Sequence, residues 1–72
     1  MTEPQSLILE LIHQADTPLR TKKLINALLE SKYTREDAWK ALDSLLNEGH
    51  ISTLGGSWFL TPSGMELMGW LV

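Results

Sequence analysis

The pair Gly55-Gly56, set between the apolar runs ISTL and SWFL, limits what this chain can fold into more than any other stretch. Both glycines tolerate the positive φ of a two-residue hairpin turn. That predicts two short antiparallel strands, Ile51–Leu54 and Ser57–Leu60. The whole hairpin holds no lysine and no arginine.

Upstream of the hairpin the apolar residues recur at helical spacing. A first helix is expected from Glu3 to Ala15, opened by a capping box of Thr2 and Gln5. Its inward stripe is Leu7, Ile8, Leu11, Ile12 and Ala15. Asp16-Thr17-Pro18 breaks it, because Pro18 keeps Thr17 out of the helical region, and the chain runs extended through Leu19. A second helix follows Thr21, its expected N-cap, with Leu24, Ile25, Leu28 and Leu29 inward, and ends near Lys32. After the Tyr33-Thr34 turn, Thr34 and Asp37 form a second capping box and open a third helix from Arg35 to Glu48. It buries Ala38, Ala41, Leu42 and Leu45, with Trp39 and Leu46 along one edge. Trp39 is expected to pack at the edge of the core, beneath the hairpin. Gly49 ends this helix. Beyond the hairpin, Thr61 caps a last helix with Pro62 at its first position.

The 72 residues make a single domain, near the lower size limit for a core that stands without staples. The chain has no cysteine, so neither a disulfide framework nor a thiolate metal site can be built. A hydrophobic fraction of 43% is too high for disorder. No apolar run approaches the roughly 20 residues that span a bilayer. The opening MTEPQSLILELIHQ lacks the basic segment of a signal peptide, so the expected compartment is the cytoplasm. His13 and His50 lie in different elements with no acid cluster at ligand spacing, and no serine stands in a nucleophile motif. LGGS lacks the Gly-Lys-Ser/Thr of a phosphate loop. No metal, no cofactor and no enzymatic activity are expected.

The formal net charge is −3, but its distribution is polarised. Arg20, Lys22, Lys23, Lys32, Arg35 and Lys40 all fall between positions 20 and 40, where only Glu30, Glu36 and Asp37 oppose them. Outside that window stand acids alone: Glu3, Glu10, Asp16, Asp43, Glu48 and Glu66. Lys22 and Lys23 sit at the positive end of the second helix dipole, which is locally unfavourable. A role outside the helix would account for their position.

Helix, extended segment, helix, turn, helix, hairpin, helix is an order that resembles the winged-helix superfamily. TREDAWKALDSLLNEGHI resembles that family's third helix, with Thr34 as cap, Ala38, Leu42 and Leu45 buried, and Gly49 closing before Ile51. WFLTPSGMEL resembles the step from wing to last helix in many bacterial winged-helix repressors, through Phe59, Leu60, Thr61 and Gly64. The fold class implied is mainly α with a small β-hairpin, a winged helix-turn-helix. It consists of a three-helix core, a two-stranded wing and a C-terminal helix.

The resemblance also implies a function, that of a small transcriptional regulator binding double-stranded DNA. Its third helix would enter the major groove and present Arg35, Glu36, Trp39, Lys40, Asp43 and Ser44 to the bases. Arg20, Lys22, Lys23 and Lys32 would meet the phosphate backbone. At the wing, the backbone amides of Gly55, Gly56 and Ser57 would donate to a phosphate. The last helix, SGMELMGWLV, is apolar on nearly every side, more than one neighbour can cover. A homodimer contact through Met65, Met68, Trp70 and Leu71 is therefore expected. One alternative remains open. In the third helix Glu36, Asp37, Asp43 and Glu48 outnumber Arg35 and Lys40, and the wing is uncharged. Both features suit a module that docks a protein partner and binds no nucleic acid.

Overall fold

A computed structural model describes residues 2–15 and 18–71, the last two by their backbone alone. The order is α1 (Glu3–Gln14), β1 (Leu19–Arg20), α2 (Thr21–Glu30), α3 (Arg35–Asn47), β2 (Ile51–Leu54), β3 (Ser57–Leu60) and α4 (Pro62–Leu71). The fold is mainly helical, with a small antiparallel sheet in the order β1-β3-β2. The expected helix break at Asp16 and Thr17 lies outside the described residues.

Both capping boxes form. The Gln5 N–H donates to Thr2 Oγ1 at 3.4 Å and the Thr2 N–H to Gln5 Oε1 at 3.1 Å. The Asp37 N–H donates to Thr34 Oγ1 at 3.1 Å and the Thr34 N–H to Asp37 Oδ2 at 3.2 Å. Each box satisfies backbone donors that helix geometry leaves without a partner. Lys32, just past α2, has φ +72°, a left-handed conformation that is common after a helix but rarely taken by a lysine. At the last helix, Thr61 Oγ1 accepts from the Gly64 N–H at 3.1 Å, so this threonine caps as expected.

Helix α1 touches α2, α3, α4 and β3. That explains a departure from the simple stripe. Ile8, Leu9 and Ile12 are buried, whereas Leu7 and Leu11 are only partly covered. Leu9 falls outside the expected stripe because a helix covered from several directions buries more than one face. On α2 the inward set is Leu24, Ile25 and Leu28, and Leu29 is exposed, contrary to expectation. On α3, Ala38, Ala41, Leu42 and Leu45 are buried as the spacing predicts.

The hairpin closes as expected, with φ +60° at Gly55 and +80° at Gly56. Ile51 faces Leu60 and Thr53 faces Trp58 across it. Ile51, Trp58 and Leu60 turn into the core. The sheet gains a third strand that the expected two-stranded hairpin lacks, since Leu19 pairs with Trp58 and Arg20 with Ser57.

That pairing also corrects the role of Thr21. It is the first residue of α2, and Arg20 occupies the cap position with no side-chain bond. The Thr21 N–H and hydroxyl both donate to the Gly56 carbonyl, at 3.1 and 3.2 Å. Its oxygen accepts from Trp58 Nε1 at 2.6 Å. The side chain therefore serves the hairpin instead of its own helix.

Candidate nucleic-acid interface

Arg20, Lys22 and Lys23 are exposed around the first turn of α2, which contains no acid. Backbone N–H groups at a helix start make a positive pole, and although the Gly56 carbonyl takes the Thr21 N–H, these cations add to what remains of it. Arg35 is the first residue of α3 and is also exposed. Lys32 is exposed at the far end of α2. At 1.5 Å per residue it lies about 15 Å along the axis from the Arg20–Lys23 group and does not join it.

The charges of α3 are not equally available. Lys40 Nζ lies 3.3 Å from Glu36 Oε1, one turn earlier. Asp37 is held in the capping box, and Asp43 accepts from Asn47 Nδ2 at 3.4 Å. In contrast, Arg20, Lys22, Lys23, Asn26 and Arg35 have no side-chain hydrogen bond or ion pair among the described residues. Ser44 is half-buried.

Trp39 does not pack beneath the hairpin. It is 47% exposed and lines a cleft between α2 and α3 together with Thr21, Lys22, Ile25, Asn26 and Arg35. The cleft has a volume of about 380 Å³. At about 3.6 residues per turn, position 39 lies off the face of α3 that buries Ala38, Ala41, Leu42 and Leu45. Trp39 leans toward α2 instead.

At the hairpin tip Gly55 and Gly56 are exposed and Ser57 is half-buried between its partners Arg20 and Leu54. Leu54, beside the turn, is 78% exposed. On α4, Met65 is 59% exposed, but Met68 is 5% exposed and belongs to the core. Met68 is thus removed from the expected contact surface, because packing α4 on α1 and β3 uses it. The expected contacts at the side chains of Trp70 and Leu71 lie outside the described residues.

One constellation was not visible in the sequence. His50 Nδ1 lies 3.1 Å from Ser63 Oγ, and its Nε2 lies 3.3 Å from Glu48 Oε2. Thirteen positions separate His50 from Ser63, and only the docking of α4 against the α3–β2 turn brings them together. Hydroxyl, imidazole and carboxylate in line resemble the parts of a hydrolytic triad. Here the carboxylate side chain is 57% exposed, unlike the buried carboxylate that orients a catalytic imidazole. The line ties the end of α3 to the start of α4. Among the described residues no cluster of three or more potential ligands could hold a metal, and no helix is long and apolar enough to cross a membrane.

Compared with protein-family models, with curated proteins and with solved structures, the chain matches none.

Proposed function

We propose that this protein is a winged helix-turn-helix that binds double-stranded DNA and regulates transcription, with α3 in the major groove. One observation carries the reading. Arg20, Lys22, Lys23 and Arg35 gather where α2 and α3 begin, without ion-pair partners among the described residues. Meanwhile Glu36, Asp37 and Asp43 of α3 are engaged by Lys40, the Thr34 amide and Asn47. Of these acids only Glu36 is matched by a cation, so the reading rests on the unpaired cations at the two helix starts. The element order and the β1-β3-β2 sheet support the same fold family. In this reading the chain is a binding protein and not an enzyme, and it needs no cofactor.

The hairpin would act as a neutral wing, offering backbone amides near Gly55 and Gly56. A homodimer belongs to the proposal, because one helix of this charge supplies few contacts and paired half-sites multiply them. Exposed Met65 sits in an apolar groove with Ile12, Ala15, Pro18 and Phe59 that a second copy would cover. Sedimentation that stays monomeric at every concentration would dispose of the dimer.

The test of DNA binding is fluorescence anisotropy of a labelled mixed-sequence duplex at two salt concentrations. Four phosphate contacts would give a log–log salt slope near −3.6, from about −0.9 per contact. Lys22→Glu with Lys23→Glu is expected to abolish binding and leave the circular dichroism unchanged. Unchanged affinity in that double variant would remove the phosphate role. No binding by the parent chain even at low salt would favour the second reading, a module for a protein partner. The uncharged hairpin with Leu54 exposed at its tip is the observation behind that reading.

A further inference from the structure

We infer that Trp39 is a specificity-determining residue that reads the C5-methyl group of thymine; this rests on the DNA-binding reading above. Helix α3 has few polar side chains left to offer a base edge. Glu36 and Lys40 pair with each other, Asp37 caps the helix and Asp43 holds Asn47. The large groups of the exposed face left without such a contact include the Arg35 guanidinium and the Trp39 indole, and of these the indole is the apolar one. Trp39 is 47% exposed, and Ile25 lies beside it in the cleft. Ile25 is itself buried, so the apolar surface the cleft presents is that of the indole, set among Thr21, Lys22, Asn26 and Arg35, and the flanking Lys22 and Arg35 draw a polyanion toward it.

Of the groups on the major-groove edges of the four bases, most are hydrogen-bond donors or acceptors and one is apolar. That one is the thymine methyl. The face of an indole pressed against any other base edge would strip water from a polar group without offering a hydrogen bond, since its one donor, Nε1–H, lies in the ring edge. Against a thymine methyl it loses nothing and removes apolar surface from water on both sides. The cleft between the helix starts gives the methyl a concave seat, where a flat helix face would give only grazing contact.

The experiment starts by selecting a site from a random duplex pool with the parent protein. Each thymine of the recovered site is then replaced singly by deoxyuridine, which pairs identically and lacks only the methyl group. We expect at least one position at which the replacement weakens binding about fourfold, the equivalent of one buried methyl at ~0.8 kcal/mol. In Trp39→Ala that difference disappears while the salt slope stays unchanged, and in Trp39→Phe, which keeps an apolar ring, it persists. Equal binding of thymine and uracil duplexes by the parent overturns the inference and leaves DNA binding standing. A uracil penalty that survives in Trp39→Ala also overturns it. Absence of any salt-dependent duplex binding by the parent takes down both readings, and it is recognised before a single base is changed.

Discussion

Gly64→Ala and Gly69→Ala make the same chemical change in the same helix, and the structure gives them opposite signs. A Cβ at Gly64 would fall inside the van der Waals envelope of the His50 carbonyl oxygen. It would also lie 3.0 Å from the His50 carbonyl carbon and 3.2 Å from Leu60 Cδ2. The obstacle is backbone, so no rotamer change relieves it. The same carbonyl accepts the Thr61 N–H at 3.2 Å, and any retreat of α4 strains that bond. Overpacking of this kind costs about 1–3 kcal/mol, and loss of the bond adds roughly 1 kcal/mol. The expected destabilisation is about 2–4 kcal/mol, against a total of about 4–11 kcal/mol for a domain of this size. At about 4–8 °C per kcal/mol the melting temperature falls by at least ~8 °C. A methyl group added at Gly69 would meet nothing within 4 Å among the described residues, so alanine there gains helix propensity, about 0.5–1 kcal/mol. Urea unfolding followed by tryptophan fluorescence measures both. A Gly64→Ala protein as stable as the parent would refute the docking of α4 against the His50 turn.

Two further predictions concern single side chains. Thr21→Val keeps the shape of the residue but leaves Trp58 Nε1 without its acceptor, and should lower stability by about 1–2 kcal/mol in the same assay. No change would mean that the indole finds water as good a partner. Tyr33, the one tyrosine of the chain, donates its hydroxyl to Glu3 Oε2 at 3.0 Å. That bond holds the phenol above its ordinary value of 10.0; partial burial and the negative charges of Glu3 and Asp37 act the same way. Because the folded value is the higher one, the contribution to stability is complete below pH 10.0 and is lost as pH rises through the raised value. Titration of the phenolate absorbance should place the midpoint above that of free tyrosine, and Glu3→Gln should bring it down; an unmoved midpoint would deny the contact.

Local chemistry was legible in the residues, and chemistry made by distant contacts was not. Thr2 with Gln5, Thr34 with Asp37 and Gly55 with Gly56 each act within a few positions, and all three behave as their spacing predicts. Leu9 escaped because a periodic stripe assumes one buried face, and α1 is covered on several. Thr21 looked like a cap because nothing nearby in sequence competes for its hydroxyl; its partners are Gly56 and Trp58, more than thirty residues on. Trp39 was expected beneath the hairpin, but the side of α3 that faces inward is defined by Ala38, Ala41, Leu42 and Leu45 and leaves it outside. The candidate interface was legible as a charge cluster between positions 20 and 40. Which of those charges already had partners was not, since a pairing such as Lys40 with Glu36 depends on side-chain geometry as well as spacing.

The bond from Thr21 to the Gly56 carbonyl makes the hairpin and the start of α2 one mechanical piece. A turn of two glycines would ordinarily swing like a loose flap. Here two donors from Thr21 hold the turn, and the Trp58 indole holds Thr21. The angle between hairpin tip and helix start is therefore set during folding, before any ligand arrives. A surface that touches both at once meets a fixed jaw, and the entropy of orienting its two sides does not weigh against binding. Cutting the jaw at Thr21 would loosen its grip on such a surface while leaving Arg20, Lys22 and Lys23 in place.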